Sequence, residues 1–196
     1  MVVTPSGVSA RNSLVATQVV FFTTVAVCEM IAHNGQAELY GISYFGVHAP
    51  TLPIIAVGYC VGALGMWRAA KYLATREAPR RLVASLRLVA LMLPLELLTP
   101  FNHGSFFNWA HMGIGVVIGV TQMGIGTALA VRERRTWTTI VFLVQFGGGL
   151  CAALSLPDWG FNHMLESEVA FELGFSASLV LWTNAVGATT SMVASH

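Results

Sequence analysis

Six runs of apolar residues, each long enough to cross a bilayer, dominate this chain and leave few folds open to it. They cover residues 13–32, 52–74, 83–100, 109–131, 137–156 and 169–190. A helix needs about 20 such residues to span the hydrocarbon core. Inside hydrocarbon every backbone N–H and C=O must find an internal partner, which leaves helices and closed barrels. No apolar–polar alternation persists long enough here for barrel strands. Composition agrees, since 55% of the 196 residues are hydrophobic and 10% charged, against about 25% charged in a soluble domain. The sequence therefore predicts an all-α polytopic membrane protein, a single six-helix transmembrane bundle over residues 1–196.

Charge and turn formers mark the boundaries. A basic loop with Pro79 separates runs two and three, Arg132–Arg135 closes run four, and Pro157-Asp158-Trp159-Gly160 follows run five. Trp67, Trp109, Trp137 and Trp159 fall near proposed ends, where an amphipathic indole prefers to sit. The first run has one preceding charge, Arg11, and no convincing small-x-small cleavage site precedes a soluble domain, so it reads as a retained anchor and not a signal peptide.

Orientation follows from the bias of Lys and Arg toward cytoplasmic loops. Arg11 precedes run one; Arg68, Lys71, Arg76, Arg80, Arg81 and Arg87 surround the loop after run two; Arg132, Arg134 and Arg135 follow run four. These are all 10 Lys and Arg residues of the chain, and all fall on one side. Both termini are then expected in the cytoplasm of a bacterial-type inner membrane.

Small residues and thiols have packing explanations. Gly58-x-x-x-Gly62, Gly115-x-x-x-Gly119 and Gly147-Gly148-Gly149 let backbones approach closely, within the bundle or between copies in a homo-oligomer. Cys28, Cys60 and Cys151 lie in separate apolar runs without C-x-x-C spacing, which disfavours a disulfide or thiolate metal site.

The acids show the opposite bias. Glu77 and Glu133 are cytoplasmic; Glu29, Glu38, Glu96, Asp158, Glu166, Glu168 and Glu172 lie at outer helix ends or in outer loops. His33, His48, His103, His111 and His163 do likewise, while His196 ends the chain on the other side. Glu29 and His33 are i, i+4 neighbours and share a helix face. An ionisable residue inside a span is costly and marks a functional site by default. Glu29, Glu96 and Glu172 qualify, at similar depth and without a Lys or Arg nearby. They must be solvated, protonated, paired with histidine or bound to a cation. An outward pocket of carboxylate and imidazole is expected, with plain interfacial solvation as the simpler alternative. His33, His103, His111 and His163 are the candidate ligands of a zinc-like divalent metal, although no H-E-x-x-H motif occurs. Axial haem ligation is disfavoured because His103 and His111 lie near helix ends.

The loop after run one reads Tyr40-Gly41-Ile42-Ser43-Tyr44-Phe45-Gly46-Val47-His48-Ala49-Pro50. It resembles the Ile-Ser-x-x-Gly followed by Pro of the FRAG/DRAM/SFK-type six-helix membrane proteins. That group includes damage-regulated autophagy modulators and a Golgi factor in GPI-anchor lipid remodelling; a bacterial six-helix family of unknown function carries a similar motif. The stretch from Glu96 through Asn102 to His111, and His163 followed by Glu172, add to the likeness. The outer loops here are shorter than in the eukaryotic members, and a second Pro beside Pro50 is missing. The resemblance implies six helices and a role with membrane lipids.

Three functions are compatible. In the first, the outer pocket recognises or remodels lipid headgroups. Glu29, Glu96 or Glu172 then serves as general base or ligand, the histidines as acid–base partners, and Ser43, Tyr44, Asn102 and Asn108 as ligand contacts. Whether this is enzymatic is left open, since no Ser-His-Asp order can be assigned from spacing. The second is a non-catalytic scaffold acting through its basic loop. The third is transport of protons or a small cation; Gln122 and Gln145, deep in the spans, read as helix–helix hydrogen bonds. Nucleic-acid binding is not indicated, and no phosphate loop G-x-x-x-x-G-K-[ST] occurs.

Overall fold

The structure, a computed structural model, describes residues 7–76, 78–156 and 159–193, so Glu77, Asp158 and His196 lie outside the described residues. The fold is all-α. Its elements are α1 (Gly7–Ala32), α2 (Gly35–Tyr40), a 3-10 segment (Gly41–Gly46), α3 (Leu52–Ala74), α4 (Arg80–Leu97), α5 (Ser105–Glu133), α6 (Thr136–Leu154) and α7 (Met164–Val193). α1, α3, α5 and α6 contain stretches long and apolar enough to cross a membrane. The expected run 52–74 coincides with α3, and the others overlap α1, α4, α5, α6 and α7 with shifted ends.

The long helices form a closed ring in chain order: α1 on α3, α3 on α4, then α5, α6 and α7, which returns to α1. Short connections make α3, α4, α5 and α6 successively antiparallel, while residues 33–51, with α2 and the 3-10 segment, join α1 to α3. The outer surface of the ring is apolar, with Val19, Val57, Leu91, Val116, Val120 and Leu143 all exposed. A monomer in water rarely exposes so much contiguous apolar surface. The interior is closed by Phe21, Tyr59, Met66, Leu86, Phe175 and Trp182.

Glycines set the closest approaches. Gly58 and Gly65 on α3 face Thr24 and Thr17 on α1. A Cβ at Gly148 would lie 2.5 Å from the Phe171 backbone nitrogen, and one at Gly174 the same 2.5 Å from that of Gln145, so α6 and α7 meet backbone to backbone. Gly119 faces open space instead.

Local chemistry places the ends. Asn34 caps α2 by accepting hydrogen bonds from the Gln36 and Ala37 N–H groups, as N-cap residues do. Gly41 follows at φ 64°, a conformation that favours glycine. Proline begins the first turn of α3 and precedes α4, where its missing N–H costs no hydrogen bond. The basic residues gather where α1 begins, α3 ends, α4 begins and α5 ends. There the Arg87 guanidinium lies over the Trp67 ring at 5.7 Å. The opposite end carries α2 and the 3-10 segment as a lid, which packs on α7, α3 and α1. Tyr40 stacks on Phe101 beyond α4, with ring centroids 5.0 Å apart, so the lid reaches across the bundle mouth.

Candidate functional site beneath the lid

The site begins with the C-terminus of α4. The last carbonyls of a helix have no intrahelical donor. That of Glu96 accepts from the Thr99 N–H at 3.2 Å and the Thr99 hydroxyl at 3.1 Å, and His111 Nδ1, on the first turns of α5, also lies 3.2 Å from it. A carbonyl can only accept, so Nδ1 carries the proton in this bond. In the neutral ring Nε2 is then the bare nitrogen. Nε2 lies 3.0 Å from Ser43 Oγ of the 3-10 segment. The Glu96 carboxylate stands beside both, with Oε1 3.4 Å from Ser43 Oγ and 3.7 Å from His111 Nε2. Both ionisable side chains are largely buried. Ser43, Glu96, His111 and Tyr59 border a cavity of about 10 Å³, walled otherwise by Ile42, Val47, Leu97 and Pro100. That is room for about one water.

Two further carboxylates extend the site from α7. Glu168 accepts a hydrogen bond from the Ile42 N–H at 2.7 Å, and Glu172, one turn deeper, accepts one from Gln122 Nε2 at 3.1 Å. Both are close enough to Glu96 for their charges to interact, and Tyr59 borders the same cavity as Glu96. Every Lys and Arg of the chain is at the other end of the bundle, so none neutralises this cluster. Gly41 has a second reason to lack a side chain, since a Cβ there would meet the Glu168 carboxyl carbon at 2.6 Å.

Below Glu172 the polar groups continue into the ring. Gln122 and Gln145 are buried, as is Gln18, which accepts from Ser176 Oγ at 2.8 Å. Gln145 has neither amide atom paired, Gln122 lacks a partner for Oε1, and Gln18 for Nε2. Gln18 was overlooked in the sequence, where Gln122 and Gln145 stood out by depth.

The expected site residues divide accordingly. Ser43, Glu96 and His111 converge, and Glu172 joins them through the carboxylate cluster. Glu29 pairs with His33 at the end of α1, away from that contact. Tyr44 turns to Asn34, whose Nδ2 donates to its hydroxyl, and stacks on His48. Asn102 contacts His103, and Asn108 is exposed on the first turn of α5. His163 is exposed beside Glu166, at 3.8 Å. Among the described residues no three His, Cys, Asp or Glu groups come together as metal ligands, so His33, His103, His111 and His163 do not share one centre. The sequence reading did not single out Glu168 or Tyr59. Glu168 and Glu172 are i, i+4 on one helix face, a signal that was legible; Tyr59 gave none.

Comparison with protein-family models, curated proteins and solved structures finds no match.

Proposed function

We propose that this is a six-span protein of a bacterial-type inner membrane, both termini cytoplasmic, whose lidded end recognises or remodels membrane lipids at headgroup depth. The observation that carries this reading is the convergence of Ser43, Glu96 and His111 on one cavity at the mouth of the ring. Polar and ionisable groups at the end of a membrane bundle lie at the depth of headgroups, esters and water, whereas those deeper in the spans face the bundle interior. The ten basic residues at the opposite end orient that mouth away from the cytoplasm.

An apolar groove of about 550 Å³ between α1 and α7, running from Val15 to Met30, supports the reading. Its 15-residue reach along α1 is about 22 Å at helical rise, more than one leaflet's share of a core about 30 Å thick. On α7 it is lined from Leu173 to Val180, so an acyl chain has a surface to lie against over part of that length. The resemblance of Tyr40–Pro50 to the FRAG/DRAM/SFK-type proteins points the same way.

The test is whole-cell lipid analysis of a deletion strain carrying wild type or Glu96→Gln. A changed lipid profile on deletion, restored by wild type but not by Glu96→Gln, is the expected result. Unchanged lipids in every strain would sink the reading.

A second reading, passage of protons or a small cation, draws on unpaired amide atoms, Gln18 Nε2, Gln122 Oε1 and both of Gln145. Buried polar atoms without partners are costly, and internal water along them would link Glu172 to the middle of the ring. Proteoliposomes that hold a pH or cation gradient unchanged would remove it.

A further inference from the structure

Ser43 and His111 have the mutual geometry of an activated nucleophile and its base. We infer that Ser43 is a catalytic nucleophile, with His111 as general base, for acyl transfer from an ester at the mouth of the bundle. This rests on the lipid-handling reading and deepens it: the substrate class is an acyl ester of a membrane lipid.

Three observations carry the inference. Ser43 Oγ has two hydrogen-bond partners, His111 Nε2 at 3.0 Å and, further off, Glu96 Oε1 at 3.4 Å, and its one proton goes to Nε2 when the histidine acts as base. The ring's other nitrogen is held at 3.2 Å by the Glu96 carbonyl, so the orienting partner of a triad is supplied here by a helix C-terminus. The cavity against both groups is sized for one water, the second substrate of a hydrolysis. A lid strap would need the Ser43–His111 bond but neither the cavity nor the oriented tautomer.

The steps balance without a cofactor. Ser43 Oγ adds to the ester carbonyl carbon while its proton passes to His111 Nε2, and the C=O pair moves onto oxygen. Collapse restores the C=O and breaks the bond to the alcohol oxygen, which leaves with the proton from Nε2. Water then adds to the acyl-serine, giving a proton to Nε2. A second collapse expels Ser43 Oγ, which recovers that proton, and releases the carboxylic acid. The cavity has room for a water and not for an acyl group, so ester entry requires the Gly41–Gly46 segment to move outward. Glu96 Oε1, 3.7 Å from Nε2, faces the edge on which imidazolium charge develops.

The experiment treats the detergent-purified full chain with a fluorophosphonate, a reagent that captures activated serines, and locates the adduct by peptide mass spectrometry. Ser43 is expected to carry the adduct in wild type. Ser43→Ala should carry none, and His111→Gln should label on the order of 100-fold more slowly, the low end of general-base contributions. Thermal unfolding of each sample verifies that it is folded. Folded wild type that stays unlabelled at Ser43 overturns the inference, and that result needs no variant to fold. If Ser43→Ala also restores the lipid profile of a deletion strain, the lipid reading survives and only the nucleophile is lost. Labelling of Ser43 in a protein whose deletion leaves lipids unchanged would keep the nucleophile and discard the lipid substrate.

Discussion

His33 and Glu29 illustrate a pairing that pH should report. The hydrogen bond to Glu29, and next its negative charge, raise the pKa of His33 above its ordinary value of 6.5. The folded state thus favours the imidazolium. This contribution is fully present below the ordinary histidine range and is lost as pH rises through the raised value. Histidine NMR titration of wild type should place His33 above its ordinary midpoint, and Glu29→Gln should bring it back; an unmoved midpoint would show that the pair does not form. Glu168 has a different task, as acceptor for the Ile42 N–H. Glu168→Ala leaves that N–H unpaired, at a cost of roughly 1–3 kcal/mol. The loss should appear as faster amide exchange over Ile42 and Ser43, and protection equal to wild type would contradict it. These contacts explain what the sequence could disclose. Glu96 and His111 stood out because ionisable residues in apolar runs are rare, and Ser43 because of its loop motif. That the Glu96 carbonyl orients His111 depends on where α4 stops, which no residue type announces.

Among the elements, α6 and α7 make the most demanding contact. A Cβ at Gly174 would meet the Gln145 backbone nitrogen at 2.5 Å and its Cα at 2.7 Å, atoms that cannot move without parting the helices. Gly174→Ala should therefore destabilise by on the order of 1–3 kcal/mol. Gly119→Ala, into open space, should be neutral or stabilising by up to about 1 kcal/mol, since Gly is a poor helix former. Thermal unfolding of both variants in one detergent decides it, and equal melting temperatures would contradict the backbone contact. The sequence flagged Gly147-Gly148-Gly149 for close packing, and Gly148 fulfils that while Gly147 faces open space. The lid was less legible. A loop rich in Gly and aromatic residues gave no helical period, yet Asn34 caps a short helix and the next six residues wind as a 3-10 segment. Tertiary contacts with Glu168, Glu96 and Phe101 hold it there.

At the scale of the whole molecule, the separation of charge sets the account. Basic residues crowd one end of the ring, and carboxylates and imidazoles the other. With the three native cysteines replaced, a single cysteine at Gly35 or Gly104, both exposed at the lidded end, should react with a membrane-impermeant maleimide added outside intact cells. One at Arg76 or Arg134 should react only after lysis. The reverse pattern would invert the topology and place the site toward the cytoplasm. The apolar periodicity and the Lys and Arg positions made this organisation readable, because a bilayer demands both. The order in which helices close the ring was not readable, since apolar faces on every side do not name a neighbour. Engagement of lipid by the cavity mouth is what the proposed function requires. Its most direct test is mass spectrometry of the lipids retained by the purified protein, wild type beside His111→Ala and Glu96→Gln. Wild type is expected to hold a lipid near one per chain, reduced at least about tenfold, or ~1.4 kcal/mol, in both variants. Equal lipid retention in all three proteins, or none in wild type, would contradict it.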